Sequence, residues 1–211
     1  RLVDRAVGAI RGPRIVLVNG RYEASLSMLD GIDERVTVVP LARAIDNHSD
    51  AIRDVLDATT PDAYPDAFAA LAAAGSRDGA FVHVPRGVVV DDPIHVVHVS
   101  SPGASPAWMA SSQVVVRVGT HASATLLESF VGDDAVTYFN NHAFHALVDD
   151  EGALRWLKVQ LEGRSASHIE TSSIVQGRAS HVDTFAYTTG GQLSRDTLTL
   201  QIDGEGVENT L

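Results

Sequence analysis

The chain has 211 residues, 45% of them hydrophobic, enough for one large domain or a domain with a small appendage. Its 16 basic and 27 acidic residues leave a formal charge of -11, which repels phosphate backbones and anionic lipid surfaces, so no nucleic-acid and no membrane partner is expected. Cysteine is absent, which excludes a disulfide framework, a thiolate nucleophile and any thiolate-held zinc or iron-sulfur cluster from this segment.

Only Lys158 is a lysine, and no dense basic run interrupts the acidic balance. No apolar run approaches membrane-spanning length and no signal-peptide pattern opens the chain, so a cytoplasmic protein is expected. The sequence starts at Arg1 without Met and stops at "GEGVENTL" inside a running pattern, as a piece of a longer polypeptide would.

In chain order, "RIVLVNGRYEASLS" places two extended runs around Asn19-Gly20, which predicts a tight hairpin. After "VTVVPLA" come two helical patterns, "DNHSDAIRDVLDAT" and "DAYPDAFAALAAAG". Asp46 or Ser49 is the expected cap of the first. In the second, Phe68, Leu71 and Ala72 share the predicted buried face and Gly75 ends it. Residues 1–76 thus read as an N-terminal hairpin with a helical cover.

From residue 77 to 211 helical periodicity vanishes. Nine extended segments follow: "AFVHVP", "IHVVHVS", "QVVVRVG", "SATLLESFV", "VTYFNNHAFHALV", "ALRWLKVQL", "SHIETSSIV", "SHVDTFAYT" and "DTLTLQIDG". Several alternate: Leu154, Trp156, Lys158 and Gln160 share one face, and Arg155, Leu157, Val159 and Leu161 the other. Glycines at 119, 152, 177 and 206 each precede an extended run, an echo at solenoid-like intervals. A β-sandwich would also give many short strands, but the repeated phrase and the open-ended pattern favour a mainly β, right-handed parallel β-helix with a small N-terminal α/β region. Pro85 and Pro93 then fall at strand edges or corners.

Among nine histidines, His168 with Glu170 and His181 with Asp183 are i, i+2 pairs, each on one strand face, and stacked turns of chain could join them as a metal or proton-transfer patch. The alternation of polar with apolar residues favours a solvated outer face for both pairs instead. His142 and His145, three apart, fall on opposite faces of a regular strand and are not expected to be co-ligands. The pairs Asp91-Asp92, Asp133-Asp134 and Asp149-Asp150 could serve a β-helical carbohydrate-active enzyme, but each lies at a break between strands, where turn chemistry explains it. The chain carries no P-loop, complete G-x-G-x-x-G, H-E-x-x-H or G-x-S-x-G. The aromatic residues are scattered as core or interface filler, and no catalytic residue is assigned.

The run "DAFAALAAAGSRDGAFVHVPRGVVVDDPIHV" resembles the signature of the SufB/SufD family of iron-sulfur cluster assembly proteins. The phrases "GTHASATLLES", "YFNNHAFHALVDDEGALRWLKVQLEG" and "GGQLSRDTLTLQIDGEGVENTL" are similar to that family's successive β-helix rungs, including Leu193-Ser194-Arg195. The likeness runs from about Val18 to the end. "IVLVNGRYEASLS" followed by "VTVVPLARAI", together with the lack of cysteine, is more like SufD than SufB. The resemblance implies a non-catalytic scaffold subunit of the SUF complex, paired with a SufB-like subunit or with itself as a homodimer. It also implies a SufC-like ATPase bound through C-terminal helices missing from this segment. No cofactor is expected on the segment alone. An iron-sulfur cluster would be assembled transiently by the complex, and whether a flavin joins it stays open. A third reading, an adhesin-like β-helix with only a packing role, predicts an export signal.

Overall fold

The computed structural model describes residues 2–8, 10–60, 67–102 and 107–211, in a single run of short elements. Helix α1 (Leu2–Val7) precedes β1 (Arg14–Val18) and β2 (Arg21–Tyr22). Asn19 and Gly20 both have positive φ, 51° and 76°, and β1 pairs antiparallel with β2, the predicted hairpin. Strand β3 (Thr37–Pro40) leads into α2 (Leu41–Asn47), α3 (Ser49–Thr59) and α4 (Ala67–Gly75). Ten more strands follow: β4 (Gly79–Val84), β5 (Ile94–Ser100), β6 (Ala107–Val118), β7 (Ser123–Gly132), β8 (Thr137–Val148), β9 (Ala153–Leu161), β10 (Ala166–Gln176), β11 (His181–Thr189), β12 (Leu193–Ile202) and β13 (Glu208–Thr210).

From β4 onward, consecutive strands alternate between two sheets. One has the order β13-β11-β9-β7-β5-β1-β2 and the other β12-β10-β8-β6-β4-β3, and every pairing beyond β1/β2 and β3/β4 is parallel. This is a parallel β-solenoid of about 4 turns, and a sandwich built of antiparallel hairpins is ruled out. The N-terminal region joins it directly, since β1 extends the first sheet beside β5 and β3 extends the second beside β4.

The corners that lead from the second sheet back to the first repeat one turn. Gly119, Asp149 and Gly177 open it, each accepting from the N–H three residues on, and the left-handed third position is held by His121, Glu151 and Ala179. The turns stack: His121 N donates to Asp150 O, Glu151 N to Arg178 O and Ala179 N to Glu205 O. The glycine echo in the sequence therefore mixes positions, because Gly119 and Gly177 open their turns whereas Gly152 closes one. Asp133-Asp134 and Asp149-Asp150 sit in turns as expected, and Asp91-Asp92 lies at a bend between strands. Asp133 accepts from Ala135 N, Asp134 from Arg164 N and Asp150 from Arg178 N.

The helices depart from expectation in detail. The 46–59 pattern splits at His48, whose N–H caps α2 on Ala44 O, so Asp46 lies inside α2 and Ser49 is the first residue of α3. Neither caps a helix. The helix begins five residues earlier than Asp46, and the Asp78 carboxylate takes the Ala42 N–H at its start. Residues 62–66 of the second pattern lie outside the described residues. In α4, Ala72 is fully buried and Phe68 half-buried against Phe139, but Leu71 is 36% exposed, because the small Ala72 is what lies closest to the sheet. Helices α2, α3 and α4 cover the outer face of the second sheet and α1 that of the first. The main core lies between the sheets, with Leu126, Phe144, Leu154, Trp156 and Ile174 among its members.

Candidate functional site

Strand alternation sends every second residue into the space between the sheets. Over half of that space the inward residues are aliphatic or aromatic. Over the other half, at the C-terminal ends of β5, β7 and β9 and the N-terminal ends of β6, β8, β10 and β12, they are polar.

Parallel register stacks these residues in columns. In the second sheet Ser112, His142, Glu170 and Asp196 are successive partners, with Ala110, Asn140, His168 and Ser194 beside them. In the first sheet Val96, Glu128, Lys158 and Ala186 form one column and His98, Phe130, Gln160 and Thr188 the next. The two sets face each other.

Glu128, fully buried, sits between two imidazoles. Its Oε1 lies 3.1 Å from His98 Nε2 and 3.1 Å from His142 Nε2, and its Oε2 accepts a 2.8 Å bond from Trp156 Nε1. Burial works to raise this carboxyl, but the His142 ring beside it and the hydrogen bond to His98 outweigh it and hold it below the usual carboxylate range. Burial lowers His98. Trp156 also stacks on Phe144, ring centroids 4.0 Å apart, which fixes its N–H toward the carboxylate.

One turn of chain further, Lys158 Nζ lies 3.3 Å from Glu170 Oε2 and 2.8 Å from Asp196 Oδ2. His168 reaches Glu162 Oε2 through Nδ1 at 3.0 Å and Glu170 Oε2 through Nε2 at 3.4 Å. Asn140 and Gln160 donate to Glu162. Burial alone would lower His168, but the Glu162 and Glu170 carboxylates beside its two ring nitrogens raise it to about 9. Burial alone would raise Glu170, but its bond to His168 and the Lys158 charge hold it at about 2. Lys158 is raised because the charges of Glu170 and Asp196 exceed the desolvation cost. This half of the interior is a chain of paired, opposite charges.

The outer-face reading of His168 and Glu170 is corrected by this geometry, since both are buried inside the solenoid, at 0% and 1% exposure. Alternation reveals two faces and not which one is inside. His181 and Asp183 do lie on the solvated side of β11, 2.9 Å apart, with Glu208 and Arg155 as further partners. The two pairs are on different sheets and do not meet. His142 and His145 point to opposite faces as expected, His145 bonding Thr59 of α3 while His142 faces inward. Sequence reasoning passed over His98, Glu128, Ser112, Trp156 and Glu162. A lone charge inside the apolar run of "TLLESFV" was the available signal for Glu128.

Among the described residues no helix is long and apolar enough to cross a membrane. Two family models match the chain: the SufBD protein N-terminal region over residues 6–96, and the SUF system FeS cluster assembly SufBD core domain over residues 101–211. The iron-sulfur cluster assembly SufBD family protein slr0076 of Synechocystis sp. is 23% identical over 193 residues, covering 88% of this chain and 42% of that protein. The chloroplastic protein ABCI7 of Arabidopsis thaliana is 25% identical over 141 residues, covering 64% of this chain and 30% of that protein. The chain thus spans less than half the length of these curated relatives. With the core-domain model matching more than half of its residues and the N-terminal model most of the rest, the chain belongs to the SufBD family of iron-sulfur cluster assembly proteins.

Proposed function

We propose that this chain is the SufD-like, non-catalytic scaffold part of a cytoplasmic SUF complex, paired with a SufB-like subunit and served by a SufC-like ATPase. The observation that carries the reading is that a member of a cluster-assembly family has no cysteine among its 211 residues. Cluster-building thiolates would then come from the partner, with the iron-sulfur cluster as cargo of the assembly. A stiff stack of strands suits this role, because it offers long, fixed surfaces to partners. A flavin, if the assembly uses one, would be bound by the complex rather than by this segment. The carbohydrate-active alternative loses support because Asp133, Asp134 and Asp150 are committed to backbone N–H groups.

The test is co-expression of the full-length tagged protein with its SufB-like and SufC-like neighbours, followed by affinity capture and light scattering. A ternary complex of defined mass is expected, and its absorption spectrum reads any flavin. Elution as a homodimer, under conditions where control complexes survive, would replace the heterodimer. Elution without any partner would overturn the scaffold reading.

A further inference from the structure

The interior cluster around Glu128 brings three metal-ligating side chains together. His98, Glu128 and His142 are all buried, at 6%, 0% and 1% exposure, and each offers one ligand atom within 4.8 Å of the others. Both Nε2 atoms stand 3.1 Å from Glu128 Oε1. Ligand atoms bound to one ion at about 2.1 Å are separated by roughly 3.0–3.4 Å in octahedral or tetrahedral geometry, so this spacing is that of neighbouring ligands.

Hydrogen bonding alone does not account for the cluster. His142 Nε2 is buried and has no hydrogen-bond partner, since its N–H direction misses the nearby carboxylate oxygen. The opposite ring nitrogens converge on one hydroxyl: Ser112 Oγ is 3.0 Å from His142 Nδ1 and 3.4 Å from His98 Nδ1. If both rings carried hydrogen on Nε2, two Nδ1 acceptors would compete for the single Ser112 hydrogen. If both carry it on Nδ1, the two lone pairs of Ser112 Oγ accept both bonds, and two bare Nε2 lone pairs then face a carboxylate. With hydrogen on His98 Nε2 and His142 Nδ1, Ser112 serves both rings, but a bare His142 Nε2 then faces Glu128 Oε1 at 3.1 Å, and a proton placed there points away from that oxygen. A cation between the three groups removes the conflict, with Ser112 and Trp156 as the outer hydrogen bonds that orient rings and carboxylate.

The neighbouring group of His168, Glu170 and Asp196 gives the contrast. It also has metal-ligating side chains within reach of one another, but the Lys158 ammonium already stands between Glu170 and Asp196. Lys158 is the strand neighbour of Glu128 in β9, but its ammonium is turned to Glu170 and Asp196, and among the described residues no lysine or arginine pairs with Glu128. A cavity of about 10 Å³, lined by His98, His142, Ser112, Phe130 and the Asn19-Gly20 turn, adjoins it, with room for about one water-sized further ligand.

We propose that His98, Glu128 and His142 bind one divalent first-row transition-metal ion inside the solenoid, tying β5 and β7 of one sheet to β8 of the other. Two imidazoles and a carboxylate are a ligand set for such ions rather than for calcium or magnesium, which take oxygen. The site is independent of the scaffold reading and of any cluster built on a partner.

The full-length protein, stripped with a chelator, is titrated with Co(II) alone and followed by ligand-field absorption and thermal unfolding. One equivalent is expected to bind, with a raised Tm, and Zn(II) is expected to bleach the bands. Glu128→Gln and His142→Gln should each lose the spectrum and the Tm shift. Ser112→Ala keeps all three ligands and should weaken binding by 10- to 100-fold, as loss of an outer hydrogen bond does. It also serves if a ligand variant fails to fold. His95→Gln, at a buried histidine that bonds Ser129, should bind as wild type does. No saturable binding at one equivalent, or binding unchanged in Glu128→Gln and Ser112→Ala, would overturn the site whatever the partner-capture result.

Discussion

His168 carries a pH-linked contribution in the interior that can be isolated by substitution. Its folded-state value of about 9 stands above the ordinary histidine value of 6.5, so its contribution is complete below pH 6.5 and is lost as pH rises from 6.5 to 9. At about 1.4 kcal/mol per unit this amounts to on the order of 3 kcal/mol. The acid side is governed by other groups. Burial lowers His95 and His145 to about 4, which removes stability as pH falls from 6.5 to 4, and Glu170 follows between 4.5 and 2. Wild-type stability is therefore expected to peak near pH 6.5. In denaturant titrations from pH 5 to 9.5, His168→Gln should flatten the alkaline limb and leave the acid limb sloping. An alkaline limb unchanged in that variant would assign the titration elsewhere. Nothing in "SASHIETSS" announces this role, because the charges that raise His168 come from Glu162, across a turn, and from its own strand neighbour Glu170.

At the level of single elements, the extended segments were legible and their orientation was not. All nine runs are strands, since turn residues bound them and their β-branched content suits a pleated sheet. In β9, however, the apolar set Leu157, Val159 and Leu161 faces outward and is half-buried, while Leu154, Trp156, Lys158 and Gln160 point inward. Hydrophobicity would have chosen the other face for the last two residues. The inward choice is possible because Lys158 finds two carboxylates and Gln160 finds Glu162. The corners show a similar limit: the αL position is taken by His121, Glu151 and Ala179 rather than by glycine, so the composition of the turns hides their geometry. An L-residue there is strained by about 1 kcal/mol or more, a cost that glycine avoids while losing some backbone entropy. Ala179→Gly, at φ 53° and open to solvent, is expected to raise stability by about 0.5 kcal/mol in chemical denaturation. Ala179→Val should lower it by more than 1 kcal/mol. Equal stability of the two variants would mean that the corner relaxes out of the left-handed region.

Across the whole molecule, each turn of chain touches mainly the turns before and after it, so stability is distributed as a series of neighbouring interfaces. Those interfaces are unequal. Helix α4 bridges β6, β8 and β10, α3 lies on the same three strands, and the polar interior ties β7 to β8 and β9 and ties β9 to β10. In the 211-residue chain the β11–β12 turn meets the helices through Arg195 over the Phe68 ring of α4, and Phe185, Tyr187 and Ile202 are 60%, 53% and 56% exposed. Its polar links to the interior among the described residues are Asp196 on Lys158, with a partly exposed carboxylate, and Ser194 on Gln160. Opening that turn therefore exposes few buried apolar side chains, chiefly Val182 and part of Leu200, whereas opening β7 to β10 breaks the core and uncovers Glu128, Glu170 and His168. Native-state hydrogen exchange on the 211-residue chain should show graded protection, with β11 and β12 amides exchanging at least tenfold faster than those of β7 to β10. The inner strands should exchange only through global unfolding, so their rates should follow denaturant with the full slope while the β11–β12 rates respond weakly. Uniform protection with one common slope would mean that the turns unfold as a single cooperative body and that the charged interior couples them more strongly than their separate contacts indicate.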